Sequence, residues 1–254
     1  MPVSSQIVAV IRMIEEVARD FNLEGDEYFV GGYPRSMAMG LSLADVHDLD
    51  VASGTPQRAA QLAGFVAEAA KAQNVSIHHR TPTTTMLVAG VEVDFQGAQA
   101  HEEVVPYLRI WRVADTPIAR NIFDRDFTMN ALALRFGETE ILDLTRRGVD
   151  DINDGRVVSI LPPEVSVPKN PLMITRAVKF ACRYGFSIDK ALWEAMKGNS
   201  KKISSLSPER MAIEAYVLSQ YPAARDMLVE LNLKELASPA EIEKGQGFAE
   251  DDNA

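Results

Sequence analysis

The chain has 254 residues, of which 46% are apolar and 24% are charged, and its formal net charge is −10 at pH 7. This length is enough for one large domain or two smaller ones, and the composition is that of an ordinary globular protein. No apolar run approaches membrane-spanning length, and the N-terminus carries charges where a signal peptide would be apolar. The single cysteine, Cys182, excludes an internal disulfide framework. We therefore expect a cytoplasmic protein with no membrane partner.

The negative charge is unevenly distributed. Residues 1–144 hold 11 basic and 20 acidic side chains, whereas residues 145–210 hold 12 basic and 7 acidic ones. A basic block beside an acidic, metal-binding block suits a polyanionic substrate. An ordinary solvated helical surface explains the charge pattern equally well.

Mixed helical and strand periodicities occupy the first 140 residues. Helices are expected over 5–21, 35–39 and 56–71, the last opened by Thr55 and Pro56. Strands are expected over 28–32, 46–52, 75–79, 85–88 and 91–95, the last two joined at Ala89-Gly90.

Helical periodicity takes over from about residue 170. The expected helices cover 171–184, 189–196, 208–220 and, more weakly, 226–236; the first stops at Gly185 and the third is capped by Ser207. The fold class is therefore α/β: a head with a small mixed sheet over 1–144, an all-helical neck over 145–237, and a flexible acidic tail over 238–254.

Two aspartates one residue apart indicate chemistry. Asp48 and Asp50 lie in an alternating segment, so a strand places both carboxylates on one face. Paired hard oxygen ligands suit Mg²⁺ bridging a nucleoside triphosphate. Upstream, Gly31 and Gly32 follow an apolar strand, where their bare backbone can approach phosphate, and Arg35 follows within reach.

A second acidic strand has the same alternation. Glu92 and Asp94 share one face of it, as Asp48 and Asp50 do on theirs. If the two strands are neighbours, three or four carboxylates converge, enough for two cations. The wet face of an amphipathic strand is an equally good interpretation.

A third polar cluster runs from Asp124 to Leu132. A helix would put Asp126 and Asn130, four apart, on one side, with Arg125 beside them. Arginine can fork onto phosphate, and asparagine can bond to ribose or base. Polar groups on a helix surface are the alternative.

Taken together, these segments resemble the class II tRNA nucleotidyltransferase and poly(A) polymerase family, over roughly residues 28–236. Segments similar to six of the family occur here in the family's order: Gly-Gly-x-x-Arg, Asp-x-Asp, Arg-Arg-Asp-Phe-Thr-x-Asn-Ala, Gly-x-x-Asp, Asp-Pro-x-Arg-x-x-Arg-Ala-x-Arg-Phe and Ser-Pro-Glu-Arg. Asp124 stands in place of the first arginine of the third segment. The matching residues are Gly31, Gly32 and Arg35; Asp48 and Asp50; Arg125 to Ala131; Asp143, Gly148 and Asp151; Asn170 to Phe180; and Ser207 to Glu214.

The resemblance implies a polymerase-beta-like nucleotidyltransferase head. It implies transfer of a nucleoside monophosphate from an NTP to an RNA 3′-hydroxyl, in tRNA or another RNA, with release of pyrophosphate. The expected cofactor is Mg²⁺, with two ions in the site. From the residues themselves we expect Asp48 and Asp50 to bind Mg²⁺, with Asp94 or Glu92 completing the acidic site. The resemblance implies triphosphate binding by Gly31, Gly32 and Arg35, and contact with phosphate and sugar by Arg125, Asp126 and Asn130. It also implies a nucleotide pocket lined by Arg176 and Lys179, and bracing of the neck by Glu209 and Arg210.

The chain departs from the family at the element that reads the base. Lys169, Asn170 and Met173 stand where the family has Glu-Asp-x-x-Arg, and Ser36 follows Arg35 where the family has aspartate. Because an amide and a thioether replace a carboxylate and a guanidinium, we expect altered discrimination between CTP and ATP. The resemblance covers the family's head and neck but not the body and tail that grip RNA, and it leaves open whether a partner supplies that surface.

Two other functions stay open. The acceptor could be a hydroxyl of a protein or small molecule, or the chain could be a non-catalytic RNA- or nucleotide-binding module. Retention of both Asp48 and Asp50 argues against the second, because two adjacent carboxylates are costly without a cation. The sequence leaves the nucleotide, the number added and the oligomeric state undetermined.

Overall fold

The computed structural model describes residues 3–23, 25–43, 46, 48–78, 83–98 and 102–237. These residues form two compact units. The first unit contains the residues up to Arg125 and Met129–Val149, and the second contains Asp126–Thr128 and the residues from Asp150 onward. The tail expected over 238–254 lies outside the described residues, and the functional division into 1–144 and 145–237 stays a prediction.

A seven-stranded mixed sheet organises the first unit. Its strands are β1 (Glu27–Val30), β2 (Asp48–Ser53), β3 (Gln73–His78), β4 (Thr83–Val88), β5 (Val91–Gly97), β6 (Ala133–Arg135) and β7 (Ile141–Leu142). Their spatial order is β3-β4-β5-β2-β1-β6-β7. Strands β2 and β5 run parallel, whereas the β4–β5, β1–β2 and β1–β6 pairs are antiparallel. The small mixed sheet expected from the sequence is therefore confirmed.

Among the described residues, five α-helices accompany the sheet before the chain first enters the second unit: α1 (Val3–Asp20), α2 (Gly32–Ala38), α3 (Pro56–Ala70), α4 (Val105–Ile110) and α5 (Pro117–Phe123). Helix α3 begins as expected, because the Thr55 hydroxyl accepts a hydrogen bond from the backbone N–H of Arg58 and Pro56 occupies the first turn. It ends at Lys71, whose backbone is left-handed.

The apolar core of the first unit lies between α1, α3 and one face of the sheet. The helices and the central strands contribute alternate apolar residues, among them Ile7, Ile14, Leu49, Val51, Leu62, Val66, Val93 and Phe95. Since neighbouring strand residues point to opposite sides, the other face of β2 and β5 carries their polar side chains.

A buried ion pair joins β1 to α3. Glu27 is inaccessible to solvent, and its two carboxylate oxygens accept hydrogen bonds from Arg58 Nε and Nη2 at 3.0 and 3.1 Å. Arg58 Nη2 also donates to the Leu23 carbonyl at 2.8 Å. A carboxylate buried this deeply is tolerated only when paired and hydrogen-bonded.

Replacing Arg58 with methionine is expected to lower the free energy of unfolding by about 2 kcal/mol, because Glu27 is left buried without its cation. The value lies below that for a fully buried pair, since the Arg58 side chain is one-third exposed. Urea denaturation followed by circular dichroism measures it. The double variant Glu27→Leu/Arg58→Met should recover part of the loss; an unchanged midpoint for Arg58→Met alone would contradict the assignment.

Helices dominate the second unit. They are α6 (Gly148–Asn153, which begins in the first unit), α7 (Pro163–Lys169), α8 (Leu172–Tyr184), α9 (Lys190–Asn199), α10 (Pro208–Ser219) and α11 (Ala224–Glu230). Gly185 ends α8 in the left-handed conformation, and Ser207 caps α10 through the Arg210 N–H.

Two details of the second unit differ from the expectation. A short parallel ladder joins β8 (Arg156–Val157) to β9 (Ser187–Ile188), so the unit is not entirely helical. The helix expected over 226–236 divides into α11 and a 3₁₀ turn at Lys234–Leu236, because Asn232 adopts a positive φ of 59° between them. No helix among the described residues is long and apolar enough to cross a membrane.

Candidate active site

The acidic pair lies on β2, on the face of the sheet opposite the apolar core. The parallel register places Asp48 opposite Glu92 and Asp50 opposite Asp94. The expectation that the two acidic strands are neighbours is therefore confirmed, and four carboxylates share one face. Such a concentration of negative charge is costly unless cations or hydrogen-bond donors compensate it.

Two of these carboxylates have different kinds of partner. Asp50 is only 2% exposed, and its Oδ2 lies 3.5 Å from Arg125 Nη1. Arg125 is held in turn by Asn121, whose Oδ1 accepts from Arg125 Nε at 3.3 Å. Asp94 Oδ1 instead accepts a hydrogen bond from the hydroxyl of Thr85 on β4. One partner is thus a cation and the other is neutral.

The donor chemistry of this face fits a hard divalent cation, since Asp48 and Asp50 offer only carboxylate oxygens. In the described part of the chain, however, no group of three or more His, Cys, Asp or Glu side chains is arranged to hold a metal ion. Asp50 is turned towards Arg125 and Asp94 towards Thr85. A cation shared by these carboxylates therefore requires side-chain rotation.

The Gly31-Gly32 turn lies beside the acidic pair. Gly31 has φ 70° and ψ −120°, a conformation open to glycine alone, and its N–H donates to the Leu132 carbonyl. A Cβ added at Gly32 would lie 3.6 Å from Arg35 Nη2 and 3.8 Å from Asp48 Oδ1. The turn, the arginine and the first aspartate, predicted separately from the sequence, are therefore close together.

Replacing Gly31 with alanine is expected to lower the free energy of unfolding by about 1–3 kcal/mol, because a Cβ is strained at this φ and ψ. Gly64→Ala is the matched control: it lies on an exposed turn of α3 where an added Cβ meets nothing within 4 Å. That control should raise stability by up to about 1 kcal/mol. Equal effects of the two substitutions in urea denaturation would contradict the strain argument.

Arg35 and Asn130 form a buried contact within the first unit. Arg35 Nη1 donates to Asn130 Oδ1 at 2.5 Å, and the two residues are 1% and 2% exposed. The contact ties α2 to the segment that carries Asn130. Both residues thus have a structural contact here, and their direct contact with triphosphate or sugar stays a prediction.

The expectation of one helix from Asp126 to Asn130 is wrong. Helix α5 ends at Phe123, Phe127 instead pairs with Ser159 in an isolated antiparallel bridge, and a 3₁₀ turn follows at Thr128–Asn130. The Ile160 N–H donates to the Asp126 carbonyl, and the Thr128 N–H donates to the Val158 carbonyl. Pairing with a distant segment overrides the helical spacing, and Asp126 and Asn130 belong to different units.

Asp126, Arg176 and Lys179 lie together in the second unit. Arg176 Nε donates to Asp126 Oδ2 at 2.6 Å, with both side chains less than 5% exposed. The Arg176 Cζ and Lys179 Nζ atoms lie 5.6 and 5.1 Å from the centre of the Phe180 ring, within cation–π range. Their predicted contact with nucleotide is not tested by this arrangement.

The positions that depart from the family's base-reading element lie around the start of α8. Lys169 ends α7 and is exposed, Asn170 follows it, and Met173 is buried within α8.

Farther along the same helix, burial raises the pKa of the Cys182 thiol, which disfavours a nucleophilic role.

Two side chains of the acidic face were not predicted from the sequence, Thr85 and Asn121. A signal for Thr85 existed: the two-residue turn Ala89-Gly90 pairs Val88 with Val91 and therefore Thr85 with Asp94. Asn121 gave no comparable signal, since its role depends on where α5 packs.

Two family models match the chain. The model described as "Poly A polymerase head domain" matches residues 27–158, just over half of the chain. The model described as "Probable RNA and SrmB- binding site of polymerase A" matches residues 185–238.

Relatives and solved structures agree with these matches. A mitochondrial CCA tRNA nucleotidyltransferase of Saccharomyces cerevisiae is 29% identical over 72% of this chain and 36% of its own length. A CCA-adding enzyme of Lacticaseibacillus paracasei is 30% identical over 74% of this chain and 45% of its own length. The chain thus spans less than half of each of these two relatives.

Solved structures of CCA-adding enzymes have a similar fold. The structure of a Thermotoga maritima CCA-adding enzyme complexed with tRNA superposes with a TM-score of 0.71 at 18% identity, covering 91% of this chain and 52% of that one. A CCA-adding enzyme complexed with ATP gives a TM-score of 0.69. The nucleotidyltransferase head fold is therefore shown, and the chain belongs to the tRNA nucleotidyltransferase and poly(A) polymerase family.

Proposed function

We propose that this protein transfers a nucleoside monophosphate from an NTP to the 3′-hydroxyl of an RNA, with tRNA as the first acceptor to test, and releases pyrophosphate. The observation that carries the proposal is the acidic face of β2 and β5 beside the Gly31-Gly32 turn. Membership of a family that includes CCA-adding enzymes supports the same reaction.

The transfer exchanges one bond for another. The acceptor oxygen forms a bond to the α-phosphorus, the bond from that phosphorus to the bridging oxygen of pyrophosphate breaks, and the hydroxyl proton passes to water. Mg²⁺ bound to such a site stabilises charge on the phosphates and on the leaving pyrophosphate. The first unit contributes little covalent chemistry of its own, so its task is positioning and charge compensation.

Each residue of the face has a role in this proposal. Asp48 and Asp50 hold the cation, and Asp94 supplies the third carboxylate because it stands opposite the buried Asp50. Gly32, with no side chain, lets a phosphate approach the backbone beside Asp48. Arg125, whose Nη1 lies 3.5 Å from Asp50 Oδ2, would contact a phosphate of the bound NTP.

The acceptor is argued from charge and from the second family match. Residues 145–210 are net basic, and residues 185–238 match the RNA-binding model.

The test is an incubation of the protein with Mg²⁺, each labelled NTP in turn, and tRNA with an intact or a trimmed 3′ end. The variant Asp48→Ala/Asp50→Ala is the control. Label on RNA supports the proposal, and the preferred NTP shows what Lys169, Asn170 and Met173 do to base selection. Aspartate-dependent label on protein or a small molecule would replace RNA as the acceptor. The absence of any aspartate-dependent transfer or pyrophosphate release would overturn the enzymatic proposal.

A further inference from the structure

We propose that Asn121 is a positioning residue for Arg125, and that its side-chain oxygen fixes the orientation in which the guanidinium meets a phosphate of the NTP. The inference rests on the proposed function, which gives Arg125 that contact. Asn121 itself touches neither the nucleotide nor a metal ion in this proposal; it acts through Arg125.

The guanidinium of Arg125 is held at two of its three nitrogens. Arg125 lies just beyond the end of α5, four positions after Asn121, a spacing that lets the two side chains meet. Its Nε donates to Asn121 Oδ1 at 3.3 Å, and its Nη1 lies 3.5 Å from Asp50 Oδ2. Because a guanidinium is rigid and planar, these two contacts fix both its place and its plane.

The two contacts leave donors for a ligand. A guanidinium carries five N–H donors, one on Nε and two on each terminal nitrogen. Nε is used by Asn121 and one N–H of Nη1 faces Asp50, and in the described part of the chain no hydrogen bond involves Nη2. Arg125 is also the accessible member of its ion pair, since its side chain is 13% exposed and that of Asp50 only 1%. Phosphate oxygens can therefore bind at Nη2 without breaking either contact.

Asn121 keeps these donors available. An arginine and a carboxylate prefer a bidentate pair, in which two guanidinium nitrogens bond to the two carboxylate oxygens. With Nε held by Asn121, the fork of Nε and Nη2 is closed to Asp50, and the contact with Asp50 stays a single long one. Without Asn121 the guanidinium can turn and pair with Asp50 through this fork, so that Nη2 is used within the protein.

The chemistry and the place of Asn121 both suit this task. Because Nε can only donate, the group that it meets is the side-chain oxygen; a carboxylate oxygen can take that place, but an aliphatic group cannot. Asn121 lies on α5, which packs against β2, and it lines a narrow cleft together with Ala52 and Ser53 of that strand. A positioning group on a packed helix is held more precisely than one on a loop.

The experiment measures the binding of each of the four NTPs to the full chain by isothermal titration calorimetry, with Mg²⁺ and without RNA. Asn121→Leu keeps the volume of the side chain but removes the oxygen. It should weaken NTP binding about tenfold, as expected for the loss of a charge-assisted hydrogen bond to phosphate. Asn121→Asp keeps an oxygen in the same place and should bind within about threefold of the unaltered protein.

Arg125→Met provides the decisive comparison. If Asn121 acts only through Arg125, the double variant Asn121→Leu/Arg125→Met binds NTP as weakly as Arg125→Met alone, because the two losses are coupled. Asp115→Leu is the matched control: Asp115 accepts a hydrogen bond from Nε of Arg120, an arginine of α5, and both residues lie outside the acidic face of β2 and β5. This control should leave NTP binding unchanged.

The outcomes separate this inference from the proposed function. If the unaltered protein binds an NTP but Asn121→Leu or Arg125→Met binds it equally well, the role of Asn121 is overturned and nucleotidyl transfer is unaffected. A further loss of binding when Asn121→Leu is added to Arg125→Met also overturns that role, since Asn121 then acts by another route.

NTP binding without aspartate-dependent transfer to any acceptor overturns the proposed function, and the comparison of the Asn121 variants is still decided by binding. If the unaltered protein binds no NTP, both the proposed function and this inference fail. Thermal unfolding midpoints identify a variant whose binding is lost through unfolding, and Asn121→Ala then replaces Asn121→Leu.

Discussion

Replacing Asp50 with asparagine is expected to reduce nucleotidyl transfer by about 10³-fold or more. Asparagine keeps the shape of the side chain but removes the charge that would hold a cation on the triphosphate. Loss of about 4 kcal/mol of charge stabilisation in the transition state corresponds to this factor. The measurement is a single-turnover rate of label transfer at saturating NTP.

The same variant is expected to keep its stability to within about 1 kcal/mol, because two effects oppose each other. The substitution loses the ion pair with Arg125, but it also removes one of four neighbouring negative charges on the face of β2 and β5. Function and stability therefore separate at this position, as they often do at active sites.

Asp20→Asn is the matched control for Asp50→Asn, since it removes the same charge from an exposed position at the end of α1. It should leave transfer unchanged. Transfer by Asp50→Asn within about tenfold of the unaltered protein would show that Asp50 is not a metal ligand. If Asp50→Asn loses transfer because it unfolds, the variant Asp48→Asn gives the decisive result. Asp48 is a more exposed position on the same strand.

Local patterns predicted the parts of the acidic face that depend on one strand or one turn. Alternation along β2 placed Asp48 and Asp50 on the same side, and Thr55-Pro56 marked the start of α3. The Ala89-Gly90 turn joined β4 to β5 as expected, and the pairing of Thr85 with Asp94, which was not predicted, follows from its register. In each of these cases the signal and the structure it specifies lie within about ten residues, so competition from the rest of the chain is small.

Contacts between distant segments were beyond the same reasoning. Arg35 and Asn130 are 95 positions apart, and only the packing of α2 brings the guanidinium to the amide. The spacing of Asp126 and Asn130 suggested a helix, but the bridge between Phe127 and Ser159 interrupts it and leaves only a 3₁₀ turn at Thr128–Asn130. So short a segment has little helical preference of its own, and contact with a distant segment therefore decides its conformation.

Buried charge explains why roles assigned by motif need structural tests. Arg35 and Arg176 both match family motifs, and the resemblance implies nucleotide contact for both. In the structure, Arg35 donates to Asn130 and Arg176 to Asp126, and both side chains are almost inaccessible. A guanidinium that is removed from water in this way is costly unless it is paired, so its first effect is on stability.

Replacing Arg176 with methionine is accordingly expected to lower the free energy of unfolding of the second unit by about 3–5 kcal/mol. The substitution leaves the Asp126 carboxylate buried with its hydrogen bond from the Phe127 N–H but without the arginine. Urea denaturation followed by circular dichroism measures the loss. Arg183→Met is the matched control on the same helix, since Arg183 is partly exposed beside Tyr184, and it should cost less than about 1 kcal/mol.

The double variant Asp126→Leu/Arg176→Met should recover much of the stability lost by Arg176→Met, because neither charge of this pair then remains. Recovery of stability without recovery of NTP affinity would give the pair of Asp126 and Arg176 a nucleotide-binding role in addition to its structural one. If Arg176→Met instead unfolds at the same urea concentration as the unaltered protein and only weakens NTP binding, Arg176 is a nucleotide contact alone. The structure favours the loss of stability, because Arg176 Nε lies only 2.6 Å from an aspartate that is itself 3% exposed.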